Sequence, residues 1–176
     1  MMLFTVDYRL SSLTDTLHIF MALSLPCLRT KRIYMTYTNY IETTDKALCH
    51  LFLHCCYRDG EFTAAEIDNV SAKFAALGLN KELNFKDELV AYKSYRLNIG
   101  NETQYIQDLV TKINPTSELA LFSYCMELGL SDSSLDFIEK DLIDTIGNVL
   151  NIDVAEQETI QKLMIQRQLV VDNKFF

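Results

Sequence analysis

The chain has 176 residues, 49% of them hydrophobic and 23% charged, with a formal net charge of −8 and a pI near 4.8. That length and balance suit one soluble globular domain, and the acidity disfavours nucleic acid as a partner. Only 5 Gly and 2 Pro are present, too few for a turn-rich β fold, so helices are favoured.

Residues 1–34 differ from the rest. Thr16 to Leu28 is mostly apolar and is followed by Arg29, Lys31 and Arg32. This run is shorter than the ~20 residues that span a bilayer. Its basic residues lie on the wrong side for a signal peptide. We read residues 1–34 as an N-terminal extension, amphipathic or disordered, or as sequence ahead of a true start at Met35. Globular patterning holds over 35–176. No segment reads as transmembrane.

A helix is expected from Asp45, capped by Thr44 or Asp45, with Leu48, Leu51, Phe52 and Cys55 as its buried stripe. It should stop at Asp59-Gly60. Thr63-Ala64-Ala65-Glu66 has the form of a capping box. The second helix carries Ile67, Val70, Phe74 and Leu77 and ends at Gly78. A third helix is expected over Glu82 to Leu97. Asn101-Glu102-Thr103-Gln104 starts a fourth, which Asn114-Pro115 ends. A fifth begins near Ser117 and is almost wholly apolar, so we place it at the centre of the core. Phe137 to Leu150 forms a sixth. Asp153 caps a seventh, with Ile160, Leu163 and Met164 inward; from Val170 onward no period is evident. The expectation is an all-α, single-domain bundle of about seven helices.

The connections around Asp59 and Asp132 repeat. Asp59-Gly60-Glu61-Phe62-Thr63-Ala64-Ala65-Glu66 and Asp132-Ser133-Ser134-Leu135-Asp136-Phe137-Ile138-Glu139 both read Asp-x-x-apolar-x-x-x-Glu, 73 residues apart. Val70, Leu77 and Leu79 match Ile143, Leu150 and Ile152 at the same offset. We take this as an internally duplicated helix–acidic turn–helix unit. The turn resembles the back half of an EF-hand loop, but Cys55, Tyr57, Leu128 and Leu130 stand where that loop needs oxygen ligands. Each turn alone is therefore at most a partial site. Together, Asp59, Glu61, Glu66, Asp132, Asp136 and Glu139 could hold a hard divalent cation: calcium, magnesium or manganese. The same residues also suit plain helix capping and dipole stabilisation. On that reading the domain is a protein–protein interaction module without metal.

The stretch from His54 to Ile67, and then Leu130 to Glu139, resembles the TerB-like family, named for a tellurite-resistance protein. The resemblance covers roughly residues 45–168; Ser133 departs from the family's usual Gly. It implies an all-helical, internally duplicated, non-enzymatic domain acting in stress responses, often beside membrane-associated or chaperone components. It also implies divalent-cation binding by Asp59, Glu61 and Glu66 in the first turn and by Asp132 and Glu139 in the second.

Other chemistry is sparse. His50 and His54 sit at i, i+4 and could share a zinc, although two surface histidines on a helix are commonplace. A Cys–His nucleophile pair lacks an orienting partner. No phosphate loop or dinucleotide fingerprint is present, and no organic cofactor is implied. Tyr92, Tyr95 and Tyr105, with Lys93 and Arg96, could dock a partner; packing with wet hydroxyls is the preferred reading. Five cysteines (27, 49, 55, 56 and 125), odd in number and without C-x-x-C, suggest free thiols in a reducing, cytoplasmic compartment.

Overall fold

A computed structural model describes residues 36–57, 62–79, 83–130 and 137–173, and for residues 137–139, 172 and 173 the backbone alone. The reading of 1–34 as an extension falls outside this range. The described residues form seven α-helices and two short 3-10 turns, with no strand among them.

Local chemistry sets most helix starts. α1 (Thr44–Cys56) is capped by Thr43, whose side chain accepts from the Lys46 amide. This is one or two residues ahead of the expected cap. α2 (Ala64–Ala76) opens on the capping box: Thr63 accepts from the Glu66 amide while the Glu66 carboxylate takes the Thr63 amide. α3 (Phe85–Tyr95) is shorter than expected at both ends. Asn84 caps it, and a 3-10 turn over Arg96–Asn98 closes it. α4 (Glu102–Ile113) starts at Asn101 and stops where Asn114 turns left-handed at φ 47°, just before Pro115. Ser117 caps α5 (Glu118–Gly129). α6 (Phe137–Val149) and α7 (Val154–Asn173) follow. α7 runs on past Val170, where the sequence shows no period.

The duplication is visible in the helix boundaries. α2 and α6 begin 73 residues apart, at Ala64 and Phe137, and end 73 apart, at Ala76 and Val149. α1 and α5 end 73 apart, at Cys56 and Gly129. α1 packs on α5, and the cross-pairs α1 with α6 and α2 with α5 also meet. Core positions correspond: fully buried Cys49 and Phe52 match fully buried Phe122 and Cys125. A small and a large side chain have exchanged places, so the pair keeps its combined volume.

α1, not α5, is the central helix. It touches α2, α3, α4, α5 and α6. Ala47 and every residue from Cys49 to Cys56 are buried, all round the helix rather than along one stripe. α5 leaves Leu119 42% exposed. Along α7, Ile160 and Met164 are half-buried against the core, but Leu163 faces outward at 61% exposure.

Candidate functional site

The two acidic turns connect α1 to α2 and α5 to α6. Asp59, Glu61, Asp132 and Asp136 lie outside the described residues, as does the side chain of Glu139 on α6. Glu66 is described. It is buried, and its Oε2 lies 2.7 Å from the Thr63 amide nitrogen and 2.9 Å from Thr63 Oγ1. That oxygen holds the first turn of α2, as the capping pattern requires.

The residues on either side of the first turn are fixed by α3. Tyr57 and Phe62 pack with ring centroids 4.4 Å apart. The Arg96 guanidinium lies 3.9 Å from the Tyr57 centroid. Lys93 Nζ lies 5.9 Å from the Tyr57 ring and 5.5 Å from that of Phe62. Both cations therefore sit over aromatic faces, a geometry the ring quadrupole favours. Lys73 of α2 pairs with Glu127 of α5, joining the two repeats near a 430 Å³ hollow lined by Asn69, Lys73, Glu127 and Gln168.

Behind the turn flanks lies a buried polar cluster. His50 is fully buried and His54 nearly so, which corrects their reading as surface residues. Five helices pack on α1, and all four ring nitrogens of its two histidines are engaged by protein side chains rather than turned together to the surface as a zinc pair. Each is instead satisfied by a tyrosine and a glutamate. His50 Nε2 is 2.9 Å from Glu88 Oε2, and its Nδ1 meets the Tyr95 hydroxyl. The His50 and Tyr95 rings stack at 11°. His54 Nδ1 is 2.8 Å from the Tyr92 hydroxyl and its Nε2 3.0 Å from Glu102 Oε1. Tyr95 and Tyr105 hydroxyls are 2.8 Å apart. These tyrosines pack, as expected, but their hydroxyls bond to protein groups rather than to water. Burial pushes all three phenols well above their ordinary range. It also lowers the His50 imidazole, outweighing the nearby Glu88 carboxylate.

Among the described residues the cysteines offer no exposed nucleophile. Cys49, Cys55, Cys56 and Cys125 are buried, and burial holds the Cys49 thiol far above its usual pKa, hence protonated. Among the described residues no group of three or more His, Cys, Asp or Glu side chains converges as a metal site. Nor is any described helix long and apolar enough to cross a membrane.

Paired helix–turn–helix units around a shared core, with an acidic connection in each, define an all-α duplicated domain. The sequence model of the family described as Tellurite resistance protein TerB matches residues 45–162, well over half of the chain. The chain belongs to that family. No curated protein and no solved structure matches it.

Proposed function

We propose that the protein is a non-enzymatic TerB-family domain that binds a divalent cation at its two acidic turns, in a cytoplasmic stress-response role. One observation carries the reading: α2 and α6 keep a common 73-residue offset from first residue to last. The same offset in the sequence pairs Asp59 with Asp132 and Glu66 with Glu139. The donor set is six carboxylates, Asp59, Glu61, Glu66, Asp132, Asp136 and Glu139. Such oxygens fit calcium, magnesium or manganese and not a soft metal. Ion binding to the folded state alone would raise its stability by mass action.

The capping box favours a second reading. Glu66 Oε2 is engaged by Thr63, as in a helix cap that needs no metal. On this reading the domain is a protein-interaction module, and its acidic turns are solvated surface. Calorimetric titration of the metal-free protein with calcium, magnesium and manganese separates the two. Saturable binding lost in Asp59→Asn and in Asp132→Asn supports the cation site. Absence of heat and of any melting shift with all three ions supports the interaction module.

A further inference from the structure

The buried cluster has a direction. An ionised carboxylate only accepts hydrogen bonds, so His50 Nε2–H donates to Glu88 Oε2. The neutral ring then leaves Nδ1 as an acceptor, and the Tyr95 hydroxyl must donate to it. Tyr95 oxygen in turn accepts from the Tyr105 hydroxyl. Every donor in the chain Tyr105–Tyr95–His50–Glu88 points the same way, and the chain crosses from α4 through α3 to α1 and back to α3. Among the described residues Tyr105 has no other hydrogen-bond acceptor; the rings of Tyr37, His54 and Tyr95 surround it. We propose that this chain is an acid-sensitive latch, which holds α3 against α1 and α4 while His50 is neutral and lets α3 go when His50 gains a proton.

A second proton on His50 makes Nδ1 a donor. Tyr95 must then turn its hydrogen away from Nδ1, and one of the two hydroxyl hydrogens, that of Tyr95 or that of Tyr105, is left without an acceptor among the described residues. A buried donor without a partner is costly, and the charged ring must also be kept from water. The charged and titratable groups around His50 are few. α1 contributes Lys46 and Cys49, α3 contributes Glu88, Tyr92 and Tyr95, and α4 contributes Tyr105. The 3-10 turn Tyr37–Asn39 and Tyr40 add rings that pack on Tyr95. α5 meets the opposite side of α1, where Tyr124 lies against Phe52. Lys46 Nζ is 3.8 Å from Glu88 Oε1, so it draws on the same carboxylate that a charged His50 would need. Burial disfavours the charged ring in the same sense. Because the folded form takes up the proton less readily, stability is complete above the free histidine range near 6.5 and falls as pH drops below it, by up to about tenfold in the folded ratio per pH unit. α3 also carries Lys93, which rests on Tyr57 and Phe62, and leads directly into Arg96 of the 3-10 turn, which rests on Tyr57. Opening the latch therefore loosens both flanks of the first acidic turn, whether or not that turn holds an ion.

The test is nuclear magnetic resonance on the full chain between pH 5 and 8, reading the ring nitrogens of His50 and amide exchange along α3. At pH 7.5 His50 should be the neutral Nε2–H tautomer. Below about pH 6.5, α3 protection, corrected for intrinsic exchange, should fall by up to tenfold per unit. His50→Gln should flatten this dependence, and His54→Gln should retain it. A doubly protonated His50 at pH 7.5 would overturn the proposal, as would unchanged α3 protection at pH 5.5 or a His50→Gln variant with the wild-type acid response. If His50→Gln does not fold, the wild-type titration decides: a ring that gains its proton with no loss of α3 protection refutes the latch.

Discussion

Replacing Gly147 with alanine pits two terms of opposite sign against each other. Alanine in mid-helix is favoured over glycine by about 1 kcal/mol. A Cβ at this position, however, would overlap the Gln157 carboxamide, with Nε2 only 2.8 Å away. Gln157 is 4% exposed, and its Nε2 donates to the Ile152 carbonyl at 2.8 Å. Moving the amide breaks that bond inside the α6–α7 corner, and an unpaired buried carbonyl costs about 1–3 kcal/mol. Further loss comes from packing around the displaced amide. We expect net destabilisation of about 1–2 kcal/mol, a drop in melting temperature of roughly 2–8 °C for a domain of this size. Urea denaturation gives the free energy directly. In a Gln157→Ala background the overlap disappears, and Gly147→Ala should then stabilise by about 1 kcal/mol. A gain in stability on the wild-type background would refute the close approach of α7 to α6.

Thr63→Ala removes one half of the α2 capping box and should cost about 1 kcal/mol in chemical denaturation; no loss would mean that the box does not stabilise the helix. Phe122→Ala empties a fully buried position and should cost about 3–5 kcal/mol, again by denaturant. The Tyr37 phenol, part-buried and donating to Asp108 Oδ2 at 2.6 Å, is pushed up to about 12 by burial first and Asp108 second. The unfolded phenol loses its proton near 10, so the stability this group provides is present below pH 10 and is lost as pH rises towards 12. Phenolate absorbance should show Tyr37 titrating late, and a midpoint near 10 in the folded protein would contradict the contact. Cys49, Cys55, Cys56 and Cys125 should stay unreactive to a thiol reagent until the protein unfolds, as their burial requires.

What the sequence revealed was what neighbouring residues decide. The Thr63–Glu66 box, the helix starts at Asn101 and near Ser117, the stop at Asn114 and the 73-residue repeat each depend on a few positions along one chain segment. Helix type and order followed from them. The surroundings of α1 did not. An apolar stripe shows that a helix has a buried face, but not that five other helices cover the remaining faces. His50 and His54 were misread for that reason: their partners Glu88, Tyr92, Tyr95 and Glu102 lie 38 to 48 residues away. One local clue existed. Glu88, Tyr92 and Tyr95 recur at i, i+4, i+7, the spacing of a single helix face, which matches the i, i+4 spacing of the two histidines. Leu163 was placed inward because it follows Ile160 by three residues, but α7 packs on the core over a narrow strip and leaves it outside. Among the candidate cation ligands, Glu66 was legible as a cap because its partner is three residues off.

The encirclement of α1 constrains the order in which the chain can acquire its structure. α1 lies near the start of the domain, yet its Phe52 side is completed by α5, some 70 residues later in synthesis. Until α5 emerges, a nascent chain carrying α1 to α4 presents apolar surface with nothing to cover it. Contacts of such sequence separation slow folding and lengthen the exposure to aggregation. Neither repeat is therefore a self-sufficient module. A fragment ending near Pro115 should bind to one beginning near Thr116 and gain helix only on mixing.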